Sequence, residues 1–364
     1  MRVKKYSISI FIVLSFLTMI LQYQFLHFHN PNESEIPNRG EINSSEFWNL
    51  TASRIYIDDT QPNFTWSKTA SEFEWCSGIG TLDDPYIIEN ITIDCQALEY
   101  GIQIRNSQSF FIVRNCSVYN QGNFSGRGSI MLYNVSNGRF INNNITSNHN
   151  GIRLDRCKDN LIEGNIVLNN TWGVTLIHSI NNSILNSRFK SNKYGIWLAG
   201  GGPWGNSYYN TISKNNVSQN QNGMFIGGNT NYITKNTINN NEIQGIHLHF
   251  SFYNVLSKNV INYNNKAIYL FESSNNDIID NTINFNQIGI YYIRSCNNFI
   301  CNNSFFENQE NFEGENYDLD CDNKSCSQPF NLGLTIFFIS ILITGSLFFI
   351  FIWKFRKRIG FKNV

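Results

Sequence analysis

The chain has 364 residues, with 27 basic and 27 acidic side chains and a formal net charge of zero. The two ends carry basic residues only, so that residues 31–329 hold 19 of the 27 basic residues, all 27 acidic ones and a net charge of −8. A domain with this charge lacks the basic surface that nucleic-acid binding needs, and we predict no nucleic-acid partner.

The first predicted element is a hydrophobic segment near the N-terminus. Residues 6–26 contain no charged side chain and follow Arg2, Lys4 and Lys5. The segment is long enough to span a membrane, and no small-x-small cleavage site follows it. We therefore expect a signal anchor, with residues 1–5 in the cytoplasm. A cleaved signal peptide is the alternative.

A polar segment separates this hydrophobic run from the repetitive part of the chain. Residues 27–54 contain Pro31, Pro37 and many polar side chains, which is typical of a flexible linker. Residues 55–100 contain short strand-like runs. They predict irregular first coils that also cap the N-terminal end of the repeats.

The following part of the chain consists of repeats. Segments that share a 22-residue register begin at Gly101, Ser129, Gly151, Gly173, Gly195, Gly223, Gly245, Ala267 and Gly289. Positions 2 and 4 are apolar in these repeats, and apolar residues recur near positions 12 (Ile112, Ile162) and 17 (Val167). Alternation of this kind places positions 2 and 4 on one face of a short strand and position 3 on the other. Three short strands per repeat predict one turn of a parallel β-helix.

Asparagine recurs at two positions where the predicted strands end. Position 15 is asparagine except at Ser187 and Thr237, and position 20 is asparagine except at Glu242. Asparagine tolerates left-handed backbone geometry, and stacked asparagines form amide ladders. The predicted structural ladder at position 15 consists of Asn115, Asn143, Asn165, Asn215, Asn259, Asn281 and Asn303.

Residues 55–312 fit a right-handed parallel β-helix better than two other solenoids. A leucine-rich repeat needs leucine at set positions and a helical segment, whereas Ile and Val dominate here. A left-handed β-helix is built from hexapeptides, and the 22-residue period is not a multiple of six. The predicted fold class is therefore all-β, a solenoid of about ten to eleven coils with a hydrophobic transmembrane helix at each end.

The repeats resemble those of a known family. The segments GIRLDRCKDNLIEGNIVLNN and AIYLFESSNNDIIDNTINFN, with the entry segment GIGTLDDPYIIENITIDC, are similar to the repeats of NosD-like proteins, also called periplasmic copper-binding NosD domains. The entry segment resembles archaeal members, so the expectation is an archaeal-type, membrane-anchored member. The resemblance implies the fold and not the activity, because lyases, epimerases, hydrolases and proteins without known activity share this repeat.

The family name implies copper, for which His247 and His249 are weak candidates. They lie two residues apart on a predicted strand, but only four methionines occur, no Cys-x-x-Cys is present and no third ligand is evident. We therefore predict no cofactor and no metal site.

The outward position 3 is the predicted ligand-binding surface. In five successive repeats this position carries a ring: Trp197, Phe225, His247, Tyr269 and Tyr291. Adjacent coils of a β-helix lie about 4.8 Å apart, so the rings would form a strip roughly 20 Å long. Such a strip could stack against the sugar rings of a polysaccharide. The alternative is that the rings only stabilise the sheet.

No catalytic constellation is evident in the sequence. Asp155 with Arg153, and Glu272 with Arg294, are predicted to be surface ion pairs. Residues 83–86 (Asp-Asp-Pro-Tyr) lack the histidine of the Asp-Pro-His-Asp motif that an epimerase resemblance would require. The expected function is surface interaction through glycan or envelope-component binding. A carbohydrate-active lyase or epimerase and an accessory factor in copper-site maturation are the alternatives.

The C-terminal region predicts a membrane anchor. Residues 313–329 are expected to form a cap and stalk, residues 330–353 form an uncharged apolar run, and the tail 354–364 is basic. The length of the run and the positive-inside rule predict a transmembrane helix with a cytoplasmic tail. Both termini would then lie in the cytoplasm and the β-helix outside it.

The cysteines and glycosylation motifs agree with export. The chain has eight cysteines, an even number that favours disulfides, with Cys321–Cys326 and Cys296–Cys301 as the closest pairs; buried thiols are the alternative. Fourteen Asn-x-Ser/Thr acceptors also occur. Those in loops and linker are expected to be glycosylated, and those inside the ladders, such as Asn115, to be structural.

Overall fold

The structure is a computed structural model that describes residues 48–124, 126–200, 206–315 and 324–325. Its described strands form three long sheets, each with one strand per coil, wound into a right-handed parallel β-helix of about 10 turns. This confirms the predicted all-β solenoid. The predicted membrane segments 6–26 and 330–353 and the basic tail 354–364 lie outside the described residues, as do most of the linker and the stalk. Among the described residues, no helix has the length and hydrophobicity needed to cross a membrane.

The three sheets are named A, B and C. Sheet A contains β1 (Trp48–Asn49), β5 (Ile91–Asp94), β8 (Ser117–Tyr119), β11 (Asn144–Thr146), β14 (Ile166–Leu168), β17 (Arg188–Lys190), β20 (Asn216–Ser218), β23 (Thr237–Asn239), β26 (Val260–Asn262), β29 (Thr282–Asn284) and β32 (Ser304–Phe306). Sheet B contains β2 (Ile55–Asp58), β6 (Ile102–Ser107), β9 (Ile130–Val135), β12 (Asn150–Asp155), β15 (Trp172–Ile177), β18 (Tyr194–Leu198), β21 (Asn222–Ile226), β24 (Gln244–His249), β27 (Lys266–Phe271), β30 (Ile288–Ile293) and β33 (Glu310–Glu315). Sheet C contains β3 (Cys76–Ser77), β4 (Tyr86–Glu89), β7 (Phe111–Arg114), β10 (Gly138–Ile141), β13 (Leu161–Glu163), β16 (Ser183–Leu185), β19 (Thr211–Ser213), β22 (Tyr232–Thr234), β25 (Val255–Ser257), β28 (Asp277–Ile279), β31 (Phe299–Cys301) and β34 (Lys324–Ser325). Neighbouring strands are parallel except β3, which runs antiparallel to β4.

The core is a column of branched apolar side chains inside the three sheets. In the coil that begins at Gly151, the inward residues Ile152, Leu154, Ile162 and Val167 have no exposed surface. The period of two makes one side of each strand apolar and leaves the other side free to vary. The same inward positions are occupied by Ile, Val, Leu, Met or Phe in the other coils.

The coil that begins at Gly101 departs from the 22-residue register. Phe111 and Val113 are fully buried, whereas Ile112, which the register placed in the core, faces outward and is partly exposed. The prediction for Ile112 was therefore wrong by one residue. A one-residue slip reverses every side chain of a strand, and the burial of Phe111 and Val113 decides the register here.

A short helix completes the N-terminal coils. Helix α1 (Trp66–Glu72) begins after Thr65, whose side chain accepts a hydrogen bond from the backbone N–H of Lys68. The indole of Trp66 is buried and stacks on Tyr86, with ring centroids 5.2 Å apart and planes 4° apart. Its Nε1–H donates to Ser107 Oγ at 3.2 Å. Residues 55–100 thus contain a helix that the sequence analysis did not predict.

Buried asparagines connect successive coils where sheet C passes into sheet A. The backbone N–H of Asn143 donates to Asn165 Oδ1 at 2.9 Å, and Asn143 Nδ2 donates to the same oxygen at 3.0 Å. Asn165 Nδ2 in turn donates to the carbonyl of Phe140 one coil earlier at 2.8 Å. The same arrangement includes Asn215, Asn259, Asn281 and Asn303. Each rung satisfies backbone groups that would otherwise be buried without partners.

Asn115 is not part of this ladder. It is exposed with a φ of 54°, and the backbone N–H of the next residue, Cys116, donates to Asn143 Oδ1 at 2.9 Å. Cys116 therefore occupies the position predicted for Asn115, and the one-residue shift of this coil explains the error. A similar shift places Asn236, rather than Thr237, in the ladder between Asn215 and Asn259.

Two further ladders lie at the other corners of the coil. At the A–B corner the predicted position-20 asparagines from Asn148 onward form rungs, and Asn241 replaces Glu242 between Asn220 and Asn264. The prediction for Asn120 was wrong, because Asn120 is exposed with a φ of 59° and the backbone N–H of Gln121 donates to Asn148 Oδ1 in its place. The ladder at the B–C corner was not predicted. It consists of Asn160, Asn182, Asn210, Asn231, Asn254, Asn276 and Asn298.

The left-handed backbone conformation belongs to the residue before each rung. Gly164 precedes Asn165 with a φ of 66°, Lys258 precedes Asn259 with a φ of 57°, and Asn302 precedes Asn303 with a φ of 53°. The prediction of left-handed geometry at the rung asparagines themselves was therefore wrong. The rung residue is used for its amide, and the residue before it makes the bend.

Candidate functional site

The five predicted rings lie side by side on the outward face of sheet B. Parallel pairing makes Trp197 the partner of Phe225, Phe225 of His247, His247 of Tyr269 and Tyr269 of Tyr291. Since each pair belongs to adjacent coils, the rings form one continuous row along the solenoid. The alternation along each strand turns them away from the buried core.

Ring contacts join all five side chains, in edge-to-face, stacked and tilted geometries. Trp197–Phe225 and Phe225–His247 are edge-to-face pairs, with ring centroids 6.0 Å and 4.9 Å apart. His247–Tyr269 is stacked, with centroids 4.4 Å apart, and Tyr269–Tyr291 is tilted at 5.2 Å. Edge-to-face and stacked arrangements are both favourable for aromatic pairs, so the row stabilises the sheet whatever else it does.

Further rings that the sequence analysis missed extend the row. Trp172 stacks on Trp197, with centroids 5.7 Å apart, and Tyr194 contacts both Trp197 and Phe225. Phe271 stacks on His249 at 5.2 Å. His249 and Phe271 end strands of sheet B two residues after position 3, so this pair follows from the outward alternation. Trp172 and Tyr194 begin strands three residues before position 3, and alternation does not predict their outward placement. The aromatic face is defined here as Trp172, Tyr194, Trp197, Phe225, His247, His249, Tyr269, Phe271 and Tyr291.

The aromatic face contains ring nitrogens without a protein partner. Trp172 Nε1, Trp197 Nε1 and His247 Nε2 are buried by neighbouring atoms and make no hydrogen bond. The side chains that carry them are only partly buried. Buried polar atoms in native structures nearly always have partners, so these three atoms are unusual and lie together on one surface.

Both histidines of the aromatic face are held in the neutral form. Burial, with a smaller effect of His249, lowers the pKa of His247 to about 3. Burial also lowers the pKa of His249, against the opposing charge of Glu272. A neutral imidazole has one donor and one acceptor nitrogen, which suits hydroxyl groups.

The same two histidines do not fit a copper site. Their ring centroids are 5.5 Å apart with planes 88° apart, and His247 Nε2 is covered by neighbouring atoms. His178 lies three coils earlier and has Asp155 as its neighbour, with Nδ1 and Oδ1 3.9 Å apart. Within the described part of the chain, no group of three or more His, Cys, Asp or Glu side chains could hold a metal ion.

A polar cluster lies next to the Trp172 end of the aromatic face. Arg153 Nη2 is 3.4 Å from Asp155 Oδ2, the same carboxylate that faces His178. The guanidinium of Arg156 contacts Tyr133, with its carbon 5.3 Å from the ring centroid and Nη1 donating to the hydroxyl. These five residues are the polar cluster. Glu272 and Arg294 form a separate ion pair at 2.8 Å.

The described cysteines fall into two groups. Cys76, Cys95, Cys116 and Cys157 are free buried thiols, and burial raises the pKa of each to about 12. Cys296 and Cys301 are disulfide-bonded. For the first four, the alternative of buried thiols is therefore correct. The predicted pair Cys321–Cys326 lies outside the described residues.

Two family models together match most of the β-helix. The model described as "Right handed beta helix region" matches residues 39–210, and the model "Periplasmic copper-binding protein (NosD)" matches residues 204–324. No curated protein sequence matches the chain significantly.

Solved structures with a similar fold include two A-modules of mannuronan C-5 epimerases from Azotobacter vinelandii. The AlgE6 A-module aligns with a TM-score of 0.56 at 11% identity, covering 76% of this chain and 82% of that one. The AlgE4 A-module aligns with a TM-score of 0.51 at 10% identity, covering 74% and 89%. At these identities the likeness concerns the fold alone.

Proposed function

We propose that the chain, whose repeats match family models for right-handed β-helices and for NosD, binds a polysaccharide along the aromatic face of sheet B. The observation that carries the proposal is the unbroken row of rings from Trp172 to Tyr291. A solenoid presents such a row on a rigid, extended surface. Aromatic rings offer sugar rings a flat apolar partner, and an extended chain of sugars can follow the row from coil to coil.

The unpartnered ring nitrogens support this proposal over a purely stabilising role. Any aromatic ring could provide the stacking that stabilises the sheet. Trp172, Trp197 and His247 each also carry a ring nitrogen that has no hydrogen-bond partner in the protein. Hydroxyl groups of a bound sugar would pair with these atoms after small side-chain rotations. Giving a hydrogen-bond partner to a buried polar group that lacked one is favourable by about 1–3 kcal/mol, and this pairing adds specificity to the stacking.

We also propose that the β-helix is exposed outside the cytoplasm and anchored to a membrane at both ends. The apolar segments 6–26 and 330–353 and the basic residues beside them support this topology. The description of the matching family as periplasmic is consistent with an extracytoplasmic domain. In this arrangement the aromatic face would meet envelope or extracellular glycans.

The binding test uses the full chain in detergent on a glycan array, followed by titration calorimetry with any polysaccharide that binds. The double variant Trp197→Ala/Tyr269→Ala removes two rings of the row, and each ring contact is worth about 0.5–1.5 kcal/mol. We expect affinity to fall by roughly 5- to 150-fold. The matched control Tyr209→Ala/Tyr232→Ala removes two exposed rings elsewhere on the solenoid and should leave binding unchanged.

Two results would contradict glycan binding by this face. One is the absence of binding by a wild-type chain whose circular dichroism shows an intact β-helix. The other is equal loss of affinity in the test variant and in the matched control. In either case the rings would be assigned to stabilisation of sheet B alone.

A carbohydrate-active enzyme is the second candidate function, and the polar cluster is the observation that favours it. The cluster combines a carboxylate, an imidazole, two guanidiniums and a phenol at the ends of three successive strands of sheet B, β9, β12 and β15. Arg153 is the register partner of Thr175, on the strand that Trp172 begins, so a polysaccharide on the aromatic face would extend toward the cluster. Incubating a bound polysaccharide with wild type and Asp155→Asn, with product analysis by NMR, tests this: new chain ends or epimers from wild type alone would establish catalysis.

A further inference from the structure

The asparagines of the chain include two separate classes, the rungs of the ladders and the residues that begin Asn-x-Ser/Thr motifs. Rung asparagines such as Asn165 and Asn281 are buried and hydrogen-bonded, and none of those described begins an Asn-x-Ser/Thr motif. At the C–A and B–C corners the chain enters the core two residues after a rung, as at Val167 and Ile184, so that Ser or Thr does not occur there. Ladder formation and the glycosylation motif therefore use different asparagines.

The motif asparagines are, in contrast, on the surface. Eleven of the fourteen lie in the described part of the chain, and all but Asn90, which is partly buried, are exposed: Asn49, Asn63, Asn115, Asn123, Asn134, Asn144, Asn169, Asn181, Asn216 and Asn302. The reassignment of Asn115 matters here, because the expectation that it is a buried rung would have excluded it.

Several acceptors lie along one edge of the solenoid, the C–A edge, which is the line of corners where sheet C passes into sheet A. Asn115 and Asn302 are the left-handed residues at the C–A corner, with φ of 54° and 53°. Asn144 and Asn216 are the first residues of strands β11 and β20, immediately after the same corner. In all four the side chain is exposed and the Ser or Thr two residues on lies in a strand of sheet A.

The aromatic face is free of these acceptors. Between Trp172 and Ile293, none of the described strands of sheet B contains an Asn-x-Ser/Thr motif. Asn169, three residues before Trp172, is the acceptor nearest to the face in sequence. A coat of glycans on the C–A edge would therefore leave most of the row of rings open.

We propose that the C–A edge, through Asn115, Asn144, Asn216 and Asn302, is N-glycosylated, and that this modification leaves the aromatic face of sheet B uncovered. The inference rests on the proposed exposure of the β-helix outside the cytoplasm. In the transfer, the bond between asparagine Nδ2 and the sugar C1 forms while the bond from C1 to a phosphate oxygen of a lipid-linked sugar donor breaks. Nδ2 loses a proton to a base of the transferring enzyme, and the lipid phosphate leaves with the bonding electrons.

The chain offers matched control residues at the same corner. Asn142 and Asn186 are exposed and left-handed, with φ of 55° and 48°, but no Ser or Thr stands two residues after them. They share the geometry of Asn115 and Asn302 and lack only the hydroxyl of the motif. The variant Ser304→Ala removes the motif at Asn302 without touching the asparagine, and Arg188→Thr creates one at Asn186.

The experiment is peptide mass spectrometry of the full chain isolated from the cells that make it, together with protease treatment of intact cells. We expect glycopeptides at the four edge acceptors, none at Asn142 or Asn186, loss of one glycan mass in Ser304→Ala and gain of one in Arg188→Thr. An accessible β-helix with all four acceptors unmodified would overturn the glycosylated edge and leave the proposed exposure standing. A β-helix protected in intact cells and released by lysis would overturn both.

Discussion

The imidazole of His247 stacks on the phenol ring of Tyr269 in the next coil, with centroids 4.4 Å and planes 18° apart. This contact buries His247, and the burial lowers its pKa to about 3, whereas an unfolded histidine titrates near 6.5. The unfolded chain therefore binds more protons than the folded one between these pH values, and stability falls as the pH drops below about 6.5.

The first prediction concerns this pH dependence. Between pH 7.5 and pH 5, His247 should lower the free energy of unfolding by about 2 kcal/mol. Guanidinium unfolding of wild type and His247→Phe, which keeps a ring in the row, measures the difference. The variant should lose less stability than wild type over this interval, and an identical loss in both would show that His247 is not the titrating group.

The second prediction compares two asparagines that occupy the same position, 15, of the sequence repeat. Asn165→Ala removes an amide that donates to the carbonyls of Phe140 and Glu163 and accepts from Asn143, leaving buried groups unsatisfied. We expect a loss of several kcal/mol, at about 1–3 kcal/mol per unsatisfied group. Asn115→Ala removes no buried hydrogen bond and should cost only about 1 kcal/mol, because alanine tolerates the left-handed φ of 54° less well than asparagine. Thermal unfolding followed by circular dichroism distinguishes the two, and equal effects would contradict the assignment of Cys116 to the ladder.

The third prediction concerns the four buried thiols. Cys76, Cys95, Cys116 and Cys157 have pKa values raised to about 12 by burial, so at pH 8 roughly one thiol in 10⁴ would be ionised even if reagent reached it. Iodoacetamide should leave all four unmodified in the folded chain and alkylate them in guanidinium. Mass spectrometry of the peptides reads out each site, and rapid labelling of any one in the folded chain would place that thiol at the surface.

The fourth prediction concerns disulfide pairing at the C-terminal end. Strands β31 and β34 pair Phe299 with Lys324 and Ile300 with Ser325, an offset of 25 residues. The same offset separates Cys296 from Cys321 and Cys301 from Cys326 in the sequence. We therefore expect these two coil-to-coil pairs instead of the sequence-adjacent pairs Cys296–Cys301 and Cys321–Cys326. Peptide mapping without reduction decides between them, because the two schemes link different peptides.

The coil architecture was predictable because its signal is repeated many times. Inward residues such as Ile152 and Leu154 recur in nearly every repeat, so single exceptions do not hide the pattern. Errors arose where a coil gains or loses one residue at a corner, as at Asn115 and Thr237. A residue count cannot locate such a change, whereas the burial of Phe111 and the hydrogen bonds of Asn236 do.

The candidate site was predicted in part for a related reason. Position 3 identified the row from Trp197 to Tyr291, because direct register partners share a repeat position. Trp172 was missed because it stands at the end of its repeat. It contacts Trp197 diagonally on the neighbouring strand, where the two are not register partners. The unpaired nitrogens of the two tryptophans could not be predicted, since they depend on how each ring is turned.

The three asparagine ladders have a consequence for how such a chain can change length over generations. Between coils, each rung bonds only to the coils directly before and after it, as Asn165 does with Asn143. A duplicated or deleted unit of 22 residues would restore the same bonds at the new junction, without any adjustment elsewhere. Gene-level gain or loss of whole coils is therefore structurally neutral along the middle of the solenoid. Each coil gained or lost would lengthen or shorten the row of rings by one strand spacing.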